Sequence, residues 1–276
     1  MFFRTSTFLV VAVAWLVGCT PANQGEVDVP ELEAAVEQAA EPRPPCQLTF
    51  GFESWEPYQY LSVGGEVGGV DVEIAQRVAN EIGCTLKAEQ GSWMELLEWL
   101  QNGEIDFIMG ASMTESRREY AHFSIPYRQE QFSLFVRAEE LPRYTMDTIE
   151  EFLSEGYRMG VVNEYFYGDD LQGLMHESEY SDQFVGTILN EMNMARLLDA
   201  DIDGFLEDNL VAASIIRRRG LSERIARTEI HLDSSDVYIM FSRSSVSESE
   251  IDAFNNALRT AINSGYIDSL IRRSGG

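Results

Sequence analysis

The sequence predicts an α/β chain of two lobes joined by two extended crossings. Strand-like and helix-like segments alternate twice with short links, and a polar break at Glu139-Glu140-Leu141-Pro142 separates the two alternations. Strand, helix, strand with short connections implies parallel sheets with helices on their faces. At 276 residues and 45% hydrophobic, the chain is long and apolar enough to bury two modest cores.

The N-terminal elements read as an address. Arg4 precedes an apolar run over 8–17, followed by Gly18-Cys19. A basic start, an apolar core of about ten residues and a small-residue cleavage site make 1–18 a signal peptide, too short to remain as a membrane-spanning helix. Leu16-Val17-Gly18-Cys19 resembles the bacterial lipobox, in which cleavage precedes the cysteine and the thiol is acylated. Cys19 is thus the expected lipidation site, and the chain is expected to be exported and membrane-anchored. Residues 19–45 are rich in Ala, Glu and Pro and close on Pro42-Arg43-Pro44-Pro45, an acidic tether.

Lobe 1 is expected over 46–137. Residues 48–52 read as a buried strand. A helix over 71–82 aligns Ile74, Val78 and Ile82 and stops at Gly83. A strand over 85–89, a helix over 92–101 ending at Gly103, and a strand over 105–110 follow. Ligands of such sheets bind beyond the carboxyl ends of the strands, here near Trp55, Trp93 and residues 110–114. The run 131–137 is extended and forms the first crossing.

Lobe 2 is expected over 138–235, with helices at 148–155, 190–198 and 209–219 and strands at 158–162 and 202–206. Arg217-Arg218-Arg219 suits a helix C-terminus, where Gly220 stops the chain. Residues 236–276 return to lobe 1 as an extended run over 237–242 and a closing helix. That helix opens with a capping box, Ser247 and Glu250, and places Ile251, Phe254, Leu258 and Ile262 at core spacing. The whole reads as two Rossmann-like lobes.

Composition excludes several functions. Twenty basic against 46 acidic residues give a net charge of −26, which repels a phosphate backbone and argues against a nucleic-acid partner. Lys87 is the single lysine, a bias that fits a saline habitat or a skewed genome composition. His122, His176 and His231 are isolated and show no metal-ligand spacing, so no metal or cofactor is expected. The glycine-rich run 64–69 lacks a nucleotide fingerprint and reads as a turn, and no Gly-x-Ser-x-Gly elbow occurs. Lipidation of Cys19 leaves Cys46 and Cys84, each opening a strand. If those strands are parallel neighbours, the thiols share a sheet end and can form a disulfide; the alternative is two buried free cysteines.

Several stretches, taken in order, resemble the family 3 extracytoplasmic solute-binding proteins, the receptors of amino-acid ABC transporters. They are Trp55-Glu56-Pro57-Tyr58, Gly69-Val70-Asp71-Val72-Glu73-Ile74, Ser92-Trp93, the run from Leu100 to Asp106, Thr114-Glu115-Ser116-Arg117 and Phe123-Ser124-Ile125-Pro126-Tyr127. The resemblance runs from Cys46 to about Ser274. It implies a type II periplasmic binding protein-like fold whose lobes close over a ligand, a monomer, and an ABC permease or membrane sensor as partner.

The resemblance also implies a ligand set. Arg117 matches the arginine that clamps the ligand α-carboxylate, for which its planar fork is suited. Gly110 and Ser112 match positions that hold the same end. Trp55 and Trp93 match the aromatic cover of the ligand side chain. Asp208 matches the aspartate for the α-amino group, and as a helix N-cap it also has a structural role. Arg117 with Asp208 is a plus/minus pair suited to a zwitterion.

One stretch departs from the family. A Gly-Thr/Ser-Thr loop is expected after the second lobe's first strand, and here Asn163-Glu164-Tyr165-Phe166 stands in its place. Either the pocket takes a smaller or cationic ligand with Glu164 as counter-charge, or amino-acid binding is modified. The expected function is a non-enzymatic receptor for a small zwitterion, most simply an amino acid, serving an ABC importer. The alternatives are a sensor without transport and an exported dehydratase-like enzyme on the same fold. Lytic transglycosylases of this fold add a catalytic domain, which these 276 residues are not expected to contain.

Overall fold

A computed structural model describes residues 46–275. The expected signal peptide, Cys19 and the tether over 19–45 lie outside the described residues.

In chain order, the first lobe is built from β1 (Cys46–Phe52), β2 (Tyr60–Leu61), β3 (Val67–Gly68), α1 (Val70–Glu81), β4 (Cys84–Gln90), α2 (Trp93–Asn102), β5 (Phe107–Ala111), α3 (Glu115–Tyr120), β6 (Ala121–Phe123) and β7 (Arg128–Glu130). The second comprises β8 (Phe132–Arg137), α4 (Ile149–Ser154), β9 (Met159–Val162), α5 (Asp169–His176), β10 (Phe184–Thr187), α6 (Asn190–Leu198), β11 (Gly204–Asp208), α7 (Asn209–Arg218) and β12 (Ile225–His231). The chain returns through β13 (Ser235–Ser242), α8 (Glu248–Asn263) and α9 (Tyr266–Ser274).

The first sheet runs β4-β1-β5-β13-β6 with β7 beside β13, and the second runs β10-β9-β11-β8-β12. The crossings therefore fall at Gln131 and over 232–234. The first lies six residues before the expected boundary at Arg137, because β8 pairs antiparallel with β11 and β12 and so belongs to the second sheet. The strand β12 was not anticipated. Its register shifts between Arg227 and His231, and this irregularity breaks the alternation by which a half-buried strand is read.

Local chemistry sets the helix ends. Ser92 and Ser247 each cap their helix in a complete capping box with Glu95 and Glu250. Between them the lobe-1 core forms, with Phe107 stacked on Phe50 and close to Phe241 and Phe254. The amphipathic face of α8 buries Ile251, Phe254 and Leu258 against this core. A second core gathers Leu134, Val136, Phe152, Leu153 and Met159. β1 and β4 are parallel neighbours with Cys46 opposite Cys84. The two are joined by a disulfide with Cα atoms 4.5 Å apart, so of the two cysteine alternatives the bridged one is formed.

Candidate functional site

The carboxyl ends of β1 and β5 and the start of α2 open onto a cavity that the second lobe covers. Glu53, Trp55, Gln59, Trp93, Met109, Gly110, Ser112, Arg117, Glu130, Phe132, Tyr165 and Phe166 line it; the space between them is about 350 Å³ with the open mouth counted, of which about 20 Å³ can hold the centre of a water molecule. Five of the seven expected ligand residues are therefore together: Trp55, Trp93, Gly110, Ser112 and Arg117.

Thr114 caps α3 and accepts from the Arg117 backbone N–H at 3.2 Å, which fixes Arg117 in the first turn. Its side chain folds back, donating from Nη1 to the Ser112 carbonyl at 2.9 Å and from Nη2 to the Glu164 carbonyl at 2.6 Å. Burial pulls the Arg117 pKa below the ordinary guanidinium value, while Tyr120, Glu164 and Glu130 oppose the shift. The group stays a cation, because an arginine does not lose its proton in a protein. The Trp93 indole lies beside it, with the guanidinium carbon 5.3 Å from the ring centre.

Gly110 adopts φ of +81°, where a side chain is disfavoured, and a Cβ there would stand 3.4 Å from the Trp55 ring. The positive φ, rather than contact with Trp55, is what calls for glycine here. The Gly110 N–H is donated to the Tyr127 hydroxyl at 3.1 Å. The Ser112 hydroxyl donates to Glu130 at 3.3 Å.

Asp208 and the Glu164 side chain are placed differently from the rest. The Asp208 carboxylate caps α7, accepting from the N–H groups of Leu210 and Val211 at 2.9 and 3.1 Å, and it is not part of the cavity wall. The Glu164 side chain is exposed, and only its backbone carbonyl reaches into the cleft. The acids that do line the cavity are Glu53 and Glu130, and burial pushes each carboxyl up to about 7. Neither was singled out from the sequence, because 46 carboxylates offer no contrast.

The aromatic wall is also fuller than expected. Tyr165 stands edge-on to Trp55 and Trp93, with ring centres 6.4 and 6.0 Å apart, and its hydroxyl donates to Glu53. Burial, with the Glu53 carboxylate beside it, pushes the Tyr165 phenol well up. Across the lobes, the Trp55 indole donates to Glu207 at 3.2 Å, and Ser214 and Arg218 both donate to Glu56.

Two sheets linked by paired crossings, with a buried arginine and two indoles at their junction, define a two-lobed binding protein. Residues 48–276 match the model of the bacterial extracellular solute-binding proteins, family 3, and the chain belongs to that family. It is 31% identical over 99 residues to a cyclohexadienyl dehydratase of Pseudomonas aeruginosa, a stretch covering 35% of this chain and 37% of that protein. The chain thus spans well under half the length of that curated relative. Its fold is shared with the arginine-bound amino acid ABC transporter substrate-binding protein AbpA of Streptococcus pneumoniae, at a TM-score of 0.70 and 20% identity, over 83% of this chain and 94% of that one. A histidine kinase sensor domain similar to periplasmic binding proteins has the same fold at a TM-score of 0.71 and 17% identity, over 83% and 95% of the two chains.

Proposed function

We propose that this chain is an extracytoplasmic receptor that closes its lobes over a small zwitterion, an amino acid, and hands it to an ABC permease. The observation that carries the reading is the double engagement of Ser112. Its carbonyl accepts from Arg117 while its hydroxyl donates to Glu130, so a fixed cation and a buried acid flank one residue at the cavity wall. A carboxylate at Arg117 and an ammonium group at Glu130 would satisfy both, with Trp55 and Trp93 covering the remainder. Glu130 takes the part that the family pattern gives to Asp208, whose oxygen is committed to the α7 cap.

The sequence before the folded part supports export and anchoring through an acyl group on Cys19. Replacing Cys19 by Ser should then move the protein from the membrane fraction to the soluble one.

Thermal melting against the twenty amino acids and common polyamines tests the receptor. A ligand at 100 times its dissociation constant adds about 2.7 kcal/mol, a readily measured shift. The shift should appear for one ligand class and vanish in Arg117→Ala. No shift with any of these compounds would sink the reading.

A second reading has its own support. Besides the 31% identity to a dehydratase over 99 residues, the cavity holds the Glu53 and Glu130 carboxyls near 7, in the range where an acid can give up a proton at neutral pH. Product formed from prephenate or arogenate, and lost in Glu53→Gln or Glu130→Gln, would favour the enzyme.

A further inference from the structure

Residues 163–166 do more than interrupt a family pattern. They connect β9 to α5 and are anchored on the second lobe, where Asn163 donates its N–H to the Thr187 carbonyl at 2.8 Å and Gln172 donates to the Tyr165 carbonyl at 3.3 Å. From that base the segment enters the first lobe's ligand groups. The Glu164 carbonyl accepts from Arg117 at 2.6 Å and from the Trp93 indole at 3.1 Å. The Tyr165 ring follows, edge-on to both tryptophans, and its hydroxyl ends on Glu53. Glu164 holds φ of +62° to make this turn, a conformation that side chains seldom adopt.

An acceptor on the arginine, a planar group between two indoles and a donor at the tip form a three-point match to the cavity. We propose that Tyr165 is an intramolecular occupant of the ligand site, and that the molecules able to displace it share its pattern: a carboxylate joined to a planar group ending in a hydrogen-bond donor, as in tyrosine or arginine. This rests on the receptor reading for its ligand class but not for the occlusion itself. The segment is rooted in the second lobe, so Tyr165 leaves the cavity as the lobes part, and the closed cavity holds either the phenol or a ligand. Ligand and phenol then compete for one closed state, and the apparent affinity is weakened by the fraction of protein that is self-occupied.

The test compares the full chain with Tyr165→Ala and Tyr165→Phe by titration with L-tyrosine, L-arginine and L-alanine. If the occupied form outweighs the free form by about ten to one, Tyr165→Ala tightens binding about tenfold. Tyr165→Phe, which keeps the ring and loses the contact with Glu53, should give a smaller gain. L-Alanine should bind more weakly than L-tyrosine or L-arginine in all three proteins. Unchanged affinity in both variants, or a preference for L-alanine, would overturn the proposal.

Acrylamide quenching of tryptophan in the ligand-free proteins provides an independent readout. Removing the phenol should uncover Trp55 and Trp93, which are buried in the intact protein. Quenching that rises in Tyr165→Ala while no amino acid binds would uphold the occlusion and reject the receptor reading. Quenching that does not change would reject the occlusion whatever the protein binds.

Discussion

Trp55 and Glu207 face each other from opposite lobes, with the indole N–H donating to a carboxyl oxygen at 3.2 Å. Trp55 follows β1 and Glu207 sits in β11, 152 residues later. Both are buried, so neither group can exchange this partner for water while the lobes are closed. Glu207 also accepts from the Asp208 N–H at 2.9 Å, which ties the contact to the strand end that caps α7.

Loss of that indole donor should therefore be felt. Trp55→Phe keeps a ring but leaves Glu207 short of one donor, at an expected cost of about 1–3 kcal/mol. Glu207→Gln retains an oxygen acceptor and should cost less. Urea unfolding of the two variants beside the parent checks the order, and equal losses would contradict it.

Stability should fall as pH rises from about 4.5 to 8. Burial raises Glu53 and Glu130 to about 7 and Glu207 to about 8, from an ordinary 4.5. Below 4.5 these groups are protonated in both folded and unfolded chains. Between 4.5 and the raised value the unfolded chain ionises while the folded one resists, so the native state loses ground. The loss is up to about 3 kcal/mol each for Glu53 and Glu130 and about 5 kcal/mol for Glu207. The surface, at a net charge of −26, pushes in the same direction. Glu207→Gln isolates the buried part: its urea midpoint should change less between pH 5 and pH 8.5 than the parent's.

Gly69 should not accept a side chain. It opens α1 at φ of +122°, and a Cβ would stand 2.2 Å from the Tyr58 carbonyl oxygen and 2.9 Å from the Gln59 nitrogen. Both are backbone atoms and cannot swing aside. Gly69→Ala is expected to cost about 2–3 kcal/mol, measured as a lowered denaturation midpoint. An unchanged midpoint would mean that the turn relaxes.

Arg128 should tolerate replacement poorly when it is changed alone. Its guanidinium is buried 3.4 Å from Asp71 and 3.8 Å from the Tyr58 ring centre. Burial opposes its charge, but Tyr127, Asp71, Tyr58 and Glu130 outweigh that and push its pKa up. Arg128→Met strands a buried carboxyl at Asp71, at about 3–5 kcal/mol. Adding Asp71→Asn should recover part of the loss, which a double-mutant cycle would read as coupling.

What could be read from the sequence was local in origin. Ser247 with Glu250 marks a helix start within four residues, and the structure completes that box and adds a second one at Ser92 and Glu95. Cys46 and Cys84 each open a strand, so their meeting follows once the strands pair. Trp55, Trp93 and Arg117 are singled out by motif and position beyond strand ends, and the structure brings them to one cavity. Contacts set by distant parts of the chain were hidden. Glu130 becomes a cavity acid only because β7 pairs with β13, and Tyr165 meets Glu53 across 112 residues of chain. β8 was assigned to the wrong side of the first crossing, because an extended apolar run does not declare which sheet it will join.

The second sheet and its helices are one uninterrupted stretch, entered at Gln131 and left over 232–234, while the first sheet is assembled from strands on both sides of it. Among the described residues, no strand ladder links the two sheets. The stretch behaves as a cassette with two adjacent seams. Exchange with the matching stretch of a relative would replace Tyr165 and Glu207 together while leaving Trp93, Arg117 and Glu130 untouched, so one half of the cleft can be inherited separately from the other.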